Sequence, residues 1–140
     1  MLKELSALNN LPGKLIGIDG RNGVGKTTLG RFLAWQLNVT LIESDLFLLR
    51  NTGSVDRRIE EIDRLIECRL QKPRHPVILE GVMLFSMLNE LNRMADYVVY
   101  CQSANYSPGN PLEPMLQKYE EEYVPTTRSN LVVDLDWEYG

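Results

Sequence analysis

The chain has 140 residues, of which 44% are hydrophobic and 24% are charged, as is usual in globular domains. Its formal net charge of −4 argues against a surface for nucleic acid or anionic membranes, and no apolar run approaches the ~18 residues of a membrane span. The first residues carry an early acid, Glu4, and no long apolar stretch, so we expect no signal peptide. Length and composition predict a single domain over residues 1–140 that binds neither nucleic acid nor membranes.

The two cysteines, Cys68 and Cys101, lack the spacing of metal ligands. Both lie on apolar stretches, so we expect buried, reduced thiols. Reduced thiols are typical of the cytoplasm, which is the predicted location. The sequence leaves open whether the chain forms a homo-oligomer.

Apolar periodicity predicts short strands that alternate with helices. This alternation implies βαβ units and a parallel sheet, which binds ligands at the carboxyl ends of its strands. The predicted strands cover residues 15–19, 39–42, 77–79, 97–101 and 131–133, and the predicted helices cover residues 2–10, 28–38, about 54–71, 85–94 and 112–123.

The third of these helices has a clean apolar face and a charged face. Ser54 or Asp56 is its expected N-cap, and Gln71 lies near its expected end. The charged face carries Arg57, Glu60, Glu61 and Arg64, whose i,i+4 pairs are expected to lie at a solvated surface.

The segment Gly20-Arg-Asn-Gly-Val-Gly25-Lys26-Thr27 matches G-x-x-x-x-G-K-[ST], the pattern of a phosphate-binding loop or P-loop. Its position between a strand and a helix supports the match. The glycines allow backbone N–H groups to turn towards a phosphate, and the helix directs its positive dipole end at the same anion. We expect Lys26 to reach the terminal phosphates of ATP and the Thr27 hydroxyl to bind Mg²⁺. The predicted nucleotide-binding residues are Gly20, Arg21, Asn22, Gly23, Val24, Gly25, Lys26, Thr27 and Thr28.

Two acidic residues follow predicted strands at the ligand-binding edge. Glu80 ends the third strand and is predicted to lie beside Mg²⁺ or its water shell, although a helix-capping or solvent-facing acid is the alternative. Asp45 follows the second strand and is a candidate general base for an acceptor hydroxyl, with an N-cap or turn residue as the alternative. The only histidine, His75, lies in a turn and is expected at the surface.

These elements resemble, in their order, the uridine kinase group of P-loop nucleoside kinases. The resemblance spans about residues 14–134 and rests on the P-loop, Ser44-Asp45-Leu46-Phe47, Val77-Ile78-Leu79-Glu80-Gly81-Val82, and the segment from Tyr123 to Asp134. It implies an α/β, three-layer P-loop NTPase fold with a five-stranded parallel sheet of order 2-3-1-4-5. It also implies transfer of the ATP γ-phosphate to a hydroxyl, with Asp45 as base and Thr27 and Glu80 on the Mg²⁺ side.

The chain departs from that group in its lid, the segment that closes over the phosphates. Residues 102–111 contain no arginine and are expected to form a short connection with Ser107-Pro108-Gly109-Asn110 as its turn. An arginine directed at the transferring phosphoryl group accelerates such reactions by several powers of ten. Arg21 is therefore a candidate catalytic residue, followed by Arg50, Arg57 and Arg58, although each alone is more simply a surface charge.

Two function classes follow. The first is a small-molecule kinase that uses ATP and Mg²⁺ and phosphorylates a hydroxyl-bearing acceptor, for which a nucleoside is one candidate. The alternative is a nucleotide-binding regulatory or interaction module that does not transfer phosphate.

Overall fold

A five-stranded parallel sheet forms the centre of the molecule in the computed structural model, which describes residue 3 and residues 14–50, 55–71, 76–104 and 110–135. The strand order is β2-β3-β1-β4-β5, and every neighbouring pair is parallel. This order and the α/β class confirm the expectation drawn from the resemblance. The strands are β1 (Leu15–Gly20), β2 (Thr40–Glu43), β3 (Val77–Glu80), β4 (Tyr97–Gln102) and β5 (Leu131–Asp134).

Helices cover both faces of the sheet and give three layers. Leu29, Leu33 and Leu37 of the first helix pack on Ile16 and Ile18 of β1, which face the same side. The opposite face of the sheet buries the apolar sides of the next two helices. The helices are α1 (Lys26–Leu37), α2 (Ile59–Leu70), α3 (Leu84–Leu91), α4 (Glu113–Tyr123) and α5 (Pro125–Arg128), with a 3₁₀ helix at Ser44–Phe47.

Helix α2 begins later than the sequence predicts. Neither predicted cap applies, because Asp56 precedes the helix by three residues and Ser54 lies outside the described residues. An antiparallel bridge between Leu48 and Arg57 keeps the chain extended there, with Arg58 N donating to the Phe47 carbonyl at 2.8 Å. A bridge between two separate segments of the chain leaves no periodic signal in the sequence.

The same bridge overturns the expectation that Arg57 is a surface charge paired with Glu61. Arg57 is buried, with 8% of its surface exposed. Glu61 instead lies 3.6 Å from Arg58, while the predicted pair of Glu60 and Arg64 is present at the surface at 3.9 Å.

Two further expectations differ from the structure, and three lie outside the described residues. Helix α3 ends at Leu91 because Asn92 adopts a left-handed conformation, with φ of 54°, that closes the helix. Cys101 is buried as predicted, but Cys68 is exposed because it lies on the outer side of α2. His75, the Ser107–Gly109 part of the predicted turn, and the helix over residues 2–10 apart from Lys3 lie outside the described residues. Within the described part of the chain, no helix has the length and apolarity that crossing a membrane requires.

Candidate active site

The phosphate loop connects the carboxyl end of β1 to α1. Its glycines Gly20, Gly23 and Gly25 have positive φ values of 149°, 82° and 105°, a region that residues with a Cβ rarely adopt. A Cβ on Gly20 would lie 2.4 Å from the carbonyl oxygen of Cys101 on β4. Glycine therefore allows the loop to leave the sheet between β1 and β4 and to turn its backbone inward.

Lys26, the first residue of α1, lies across this loop. Its side chain is buried, and Nζ donates to the carbonyl oxygen of Arg21 at 2.7 Å. Burial lowers the pKa of Lys26, while the negative charges of Glu80, Asp45 and Asp19 oppose that shift. A buried ammonium surrounded by acidic groups is suited to neutralising the charge of a bound phosphate.

Thr27 and Glu80 form the candidate Mg²⁺ position at the end of β3. Thr27 Oγ1 donates to Glu80 Oε2 at 3.4 Å, and Glu80 is only 2% exposed. Burial raises the pKa of Glu80, with further raising by Asp45 and Glu43, while Lys26 lowers it. No group of three or more metal-ligating side chains occurs among the described residues. A hydroxyl and one carboxylate still fit Mg²⁺, which binds proteins through one or two such oxygens together with substrate phosphates and water.

Asp45 lies on the same edge of the sheet, in the 3₁₀ helix that follows β2. Its carboxylate is exposed, and it is near enough to Lys26 and Glu80 to influence the pKa of each. Asp45, Glu80 and Lys26 therefore lie near one another at the carboxyl edge of the sheet, and a shared binding cleft stays a prediction. The carboxylate is accessible to a substrate hydroxyl, which is the geometric requirement for a general base.

Asp19 is a buried carboxylate that the sequence analysis did not identify as a site residue. Its Oδ1 accepts from the backbone N–H groups of Gly20 at 2.8 Å and Leu84 at 3.2 Å, and its Oδ2 accepts from the Tyr119 hydroxyl at 2.5 Å. Burial raises the pKa of Asp19, and these three hydrogen bonds oppose the shift. Asp19 thus joins the start of the phosphate loop to α3 and α4. Its only signal in the sequence is an acid within an otherwise apolar strand.

Arg21 projects from the loop towards α4. Its guanidinium forms ion pairs with Glu113 at 2.6 Å and Glu120 at 2.5 Å, and Glu120 also accepts from Tyr100 at 3.2 Å. The loop is therefore attached to the helix that follows the lid segment. In this arrangement two carboxylates hold the Arg21 side chain.

The other three candidate arginines have separate environments. Arg50 is exposed, and Arg58 donates to the Leu46 carbonyl at 2.9 Å and lies over the Phe47 ring. Only Arg57 is buried, and Asp45 is the acid that acts most strongly on its pKa, which burial lowers.

A cavity of about 380 Å³ opens on the other side of the loop, towards β4. Val24 and Arg21 line it from the loop, Gln102 and Ser103 from the end of β4, and Thr126 from α5. Asp45 does not line this cavity.

The parallel sheet of order 2-3-1-4-5 and the glycine-rich loop between β1 and α1 define a P-loop NTPase fold. No protein-family model matches the chain. A gluconokinase from Arabidopsis thaliana is 27% identical to it over 111 residues, which are 76% of this chain and 58% of that protein. The chain thus spans less than two thirds of this curated relative.

Solved structures support the same assignment of the fold. A possible uridine kinase from Bacillus stearothermophilus superimposes with a TM-score of 0.70 at 18% identity and 95% coverage of both chains. A gluconokinase from Sinorhizobium meliloti superimposes with a TM-score of 0.58 at 19% identity, covering 89% of this chain and 84% of the other. The chain is similar to these proteins in architecture, with a uridine kinase-like arrangement of strands and loop.

Proposed function

We propose that the protein is a kinase that transfers the γ-phosphoryl group of ATP to a hydroxyl of a small molecule. The proposal rests on the proximity of Lys26, Thr27, Glu80 and Asp45 at the carboxyl edge of the sheet. The similar kinases support it.

Each residue has a definite role in this reaction. The loop N–H groups and Lys26 bind the phosphates, and Thr27 and Glu80 hold Mg²⁺ directly or through its water. Mg²⁺ supplies neutralisation of phosphate charge when it is bound. Asp45 accepts the proton of the acceptor hydroxyl. The hydroxyl oxygen of the acceptor forms a bond to the γ-phosphorus, and the bond between that phosphorus and the oxygen that leaves with ADP breaks. The products are ADP and a phosphate ester.

The cavity beside the loop and the Asp45 carboxylate are separate candidate positions for the two substrates. We propose that the nucleoside part of ATP enters the cavity near Gln102, and that the acceptor binds on the Asp45 side. Arg21 lines this cavity, and we retain it as a catalytic candidate that must leave Glu113 and Glu120 in order to reach the phosphates. We propose the cytoplasm as the site of this reaction, consistent with the free thiols of Cys68 and Cys101.

The acceptor is not determined by likeness, since the similar proteins are named for two different acceptors, uridine and gluconate. A direct test measures ADP release with Mg-ATP and a panel of nucleosides, sugars and sugar acids. We expect one acceptor to be turned over, and Asp45→Asn to lower kcat by about 10²–10⁴-fold, the usual contribution of a general base. Full activity of Asp45→Asn would contradict the assigned role.

A second candidate function is a nucleotide-binding regulatory module without transfer. The ion pairs of Arg21 favour it, because an arginine held by two carboxylates is not available to a phosphoryl group. If ATP binds but no acceptor in the panel is phosphorylated, this reading replaces the kinase proposal.

A further inference from the structure

Arg57 is the only one of the four candidate arginines that is buried beside the acceptor side of the cleft. One of its terminal nitrogens, Nη2, donates to the carbonyl oxygen of Val82 at 2.6 Å. Its Nε has no solvent contact and no hydrogen-bond partner among the described residues. A buried N–H without a partner is costly, and more so in a charged group. Among the described residues, the hydrogen bond to Val82 holds the side chain in place, and the Nε–H donor is not used.

A second unpartnered group lies at the same turn. Ser44 Oγ is fully buried and likewise has no partner in the described part of the chain. It contacts Gly81 so closely that a Cβ on Gly81 would lie 1.9 Å from it. Two unsatisfied polar groups therefore flank the turn of Gly81 and Val82, next to the residues that end β2 and β3.

The charges around Arg57 restrict which group could bind there. Asp45 is its strongest acidic neighbour, followed by Glu90, Asp19 and Glu80, yet none of the described carboxylates forms an ion pair with it. A group with one negative charge and two acceptor oxygens matches a guanidinium. A doubly charged phosphate monoester would be repelled by four nearby carboxylates.

We propose that the acceptor is a hydroxy acid, with its hydroxyl at Asp45 and its carboxylate at Arg57. This inference rests on the proposed kinase function and names the substrate class of the same cleft. Arg57 then distinguishes hydroxy acids from neutral sugars and nucleosides, because only the acid supplies the missing partner.

The test compares three acceptors with Mg-ATP: gluconate, the polyol of the same carbon skeleton, and uridine. We expect the acid to exceed its polyol by at least about tenfold in kcat/KM. Arg57→Gln should raise the KM of the acid by about 10–100-fold, the usual effect of losing a charge-assisted hydrogen bond. The KM of ATP should change by less than about twofold, because Arg57 does not contact the phosphate loop.

Two controls separate recognition from folding. Arg64→Ala removes an exposed arginine of α2, which is 77% exposed, and should change neither KM. Arg57→Lys keeps a buried cation but loses the planar guanidinium with its paired N–H donors. This variant should therefore fold, yet discriminate poorly between the acid and its polyol. Calorimetric titration of the acid and its polyol into the protein with Mg-ADP provides the same comparison without turnover.

Each result supports or overturns the inference. Equal or better use of the polyol or of uridine overturns it while leaving the kinase proposal intact. An equal loss on acid and neutral acceptors in Arg57→Gln assigns the residue a structural role and also overturns it. If no acceptor is phosphorylated, the kinase proposal fails, and hydroxy acids that do not bind in the titration overturn the anion site as well.

Discussion

Glu80 is a buried carboxylate whose ionisation affects the stability of the fold and, in the proposed reaction, the turnover. Burial raises its pKa above the ordinary value of 4.5, so the folded chain holds this proton more tightly than the unfolded chain does. The free energy of unfolding therefore falls as the pH rises from about 4.5 to the raised pKa, and stays lowered above it. A carboxylate kept at such a cost is typical of a functional site.

We predict that Glu80→Gln abolishes this part of the pH dependence. The variant should gain stability relative to the wild type as the pH rises above about 4.5, because glutamine cannot ionise. Turnover should fall by about 10–100-fold if Glu80 acts through the metal shell. Urea unfolding between pH 4 and pH 8 measures the first effect and an ADP-release assay measures the second.

Glu67→Gln is the control for Glu80→Gln. Arg93 lowers the pKa of Glu67, so its contribution has the opposite sign and is lost as the pH falls. Glu67 is exposed and distant from the loop, so activity should be unchanged. A constant stability difference between Glu80→Gln and the wild type at all pH values would contradict the burial argument.

Residue types with a fixed spacing could be found from the sequence. Lys26 and Thr27 belong to a loop motif of neighbouring residues, whose backbone N–H groups bind phosphate. Glu80 and Asp45 were found because each follows an apolar strand. Asp19 could not be identified as a site residue, because its burial depends on Tyr119, which is 100 residues away in the chain. A polar side chain reveals its burial only when the elements packed against it are known.

Besides the ion pairs of Arg21 with α4, a single hydroxyl attaches this helix to β1 and α3. Tyr119 donates to Asp19 and its oxygen accepts from the N–H of Phe85 at 3.1 Å, so one oxygen connects α4, β1 and α3. We predict that Tyr119→Phe lowers the free energy of unfolding by about 1–3 kcal/mol, because it leaves a buried carboxylate with one donor fewer. Chemical denaturation measures this difference.

Tyr123→Phe is the matched control, since Tyr123 stacks beside Tyr119 on the same helix with ring centroids 5.1 Å apart and lies outside the Asp19 network. We expect it to change stability by less than about 0.5 kcal/mol, as is usual away from buried networks. Equal effects of the two substitutions would argue against a special role for the Tyr119 hydroxyl.

The ends of β2 and β3 approach closely at Ser44 and Gly81. Because a Cβ on Gly81 would overlap Ser44 Oγ, we predict that Gly81→Ala costs about 1–3 kcal/mol of stability and lowers kcat by displacing Asp45. Ser44→Gly removes the obstructing side chain, so the double variant should recover part of both losses. A double-mutant cycle on denaturation and turnover measures that coupling. Additive effects would show that the contact is not the cause.

Elements were predictable where their signal is local. The five strands and three of the four long helices lie within a few residues of their predicted bounds, because periodicity and strand propensity depend on neighbouring residues. The start of α2 was wrong because a pairing between Leu48 and Arg57 extends the chain there. The 3₁₀ helix and α5 were missed because each has only four residues, too few for a periodic pattern.

At the scale of the whole molecule, nucleotide binding should increase the free energy of unfolding and the Tm. A ligand that binds only the folded chain stabilises it by about 2.7 kcal/mol at a concentration of 100 Kd. We predict that Mg-ATP raises the Tm of the wild type by several degrees, and that Lys26→Ala loses most of this shift because the buried charge across the loop is gone.

The control for this melting experiment is Lys14→Ala, which removes a lysine 3.7 Å from Asp96 at the opposite end of β1. Its Tm shift with Mg-ATP should equal that of the wild type. An unchanged shift in Lys26→Ala would contradict the assignment of the loop as an ATP site.

The link between Asp19 and Tyr119 also has a consequence for biosynthesis. At about 5–20 residues per second, a ribosome needs roughly 5–20 s to make the 100 residues that separate these partners. During that interval β1 and the phosphate loop have left the ribosome without the helix that supports them. We therefore predict that a nascent chain carries the full motif before it binds a nucleotide, and that ATP binding begins only after α4 has emerged and docked.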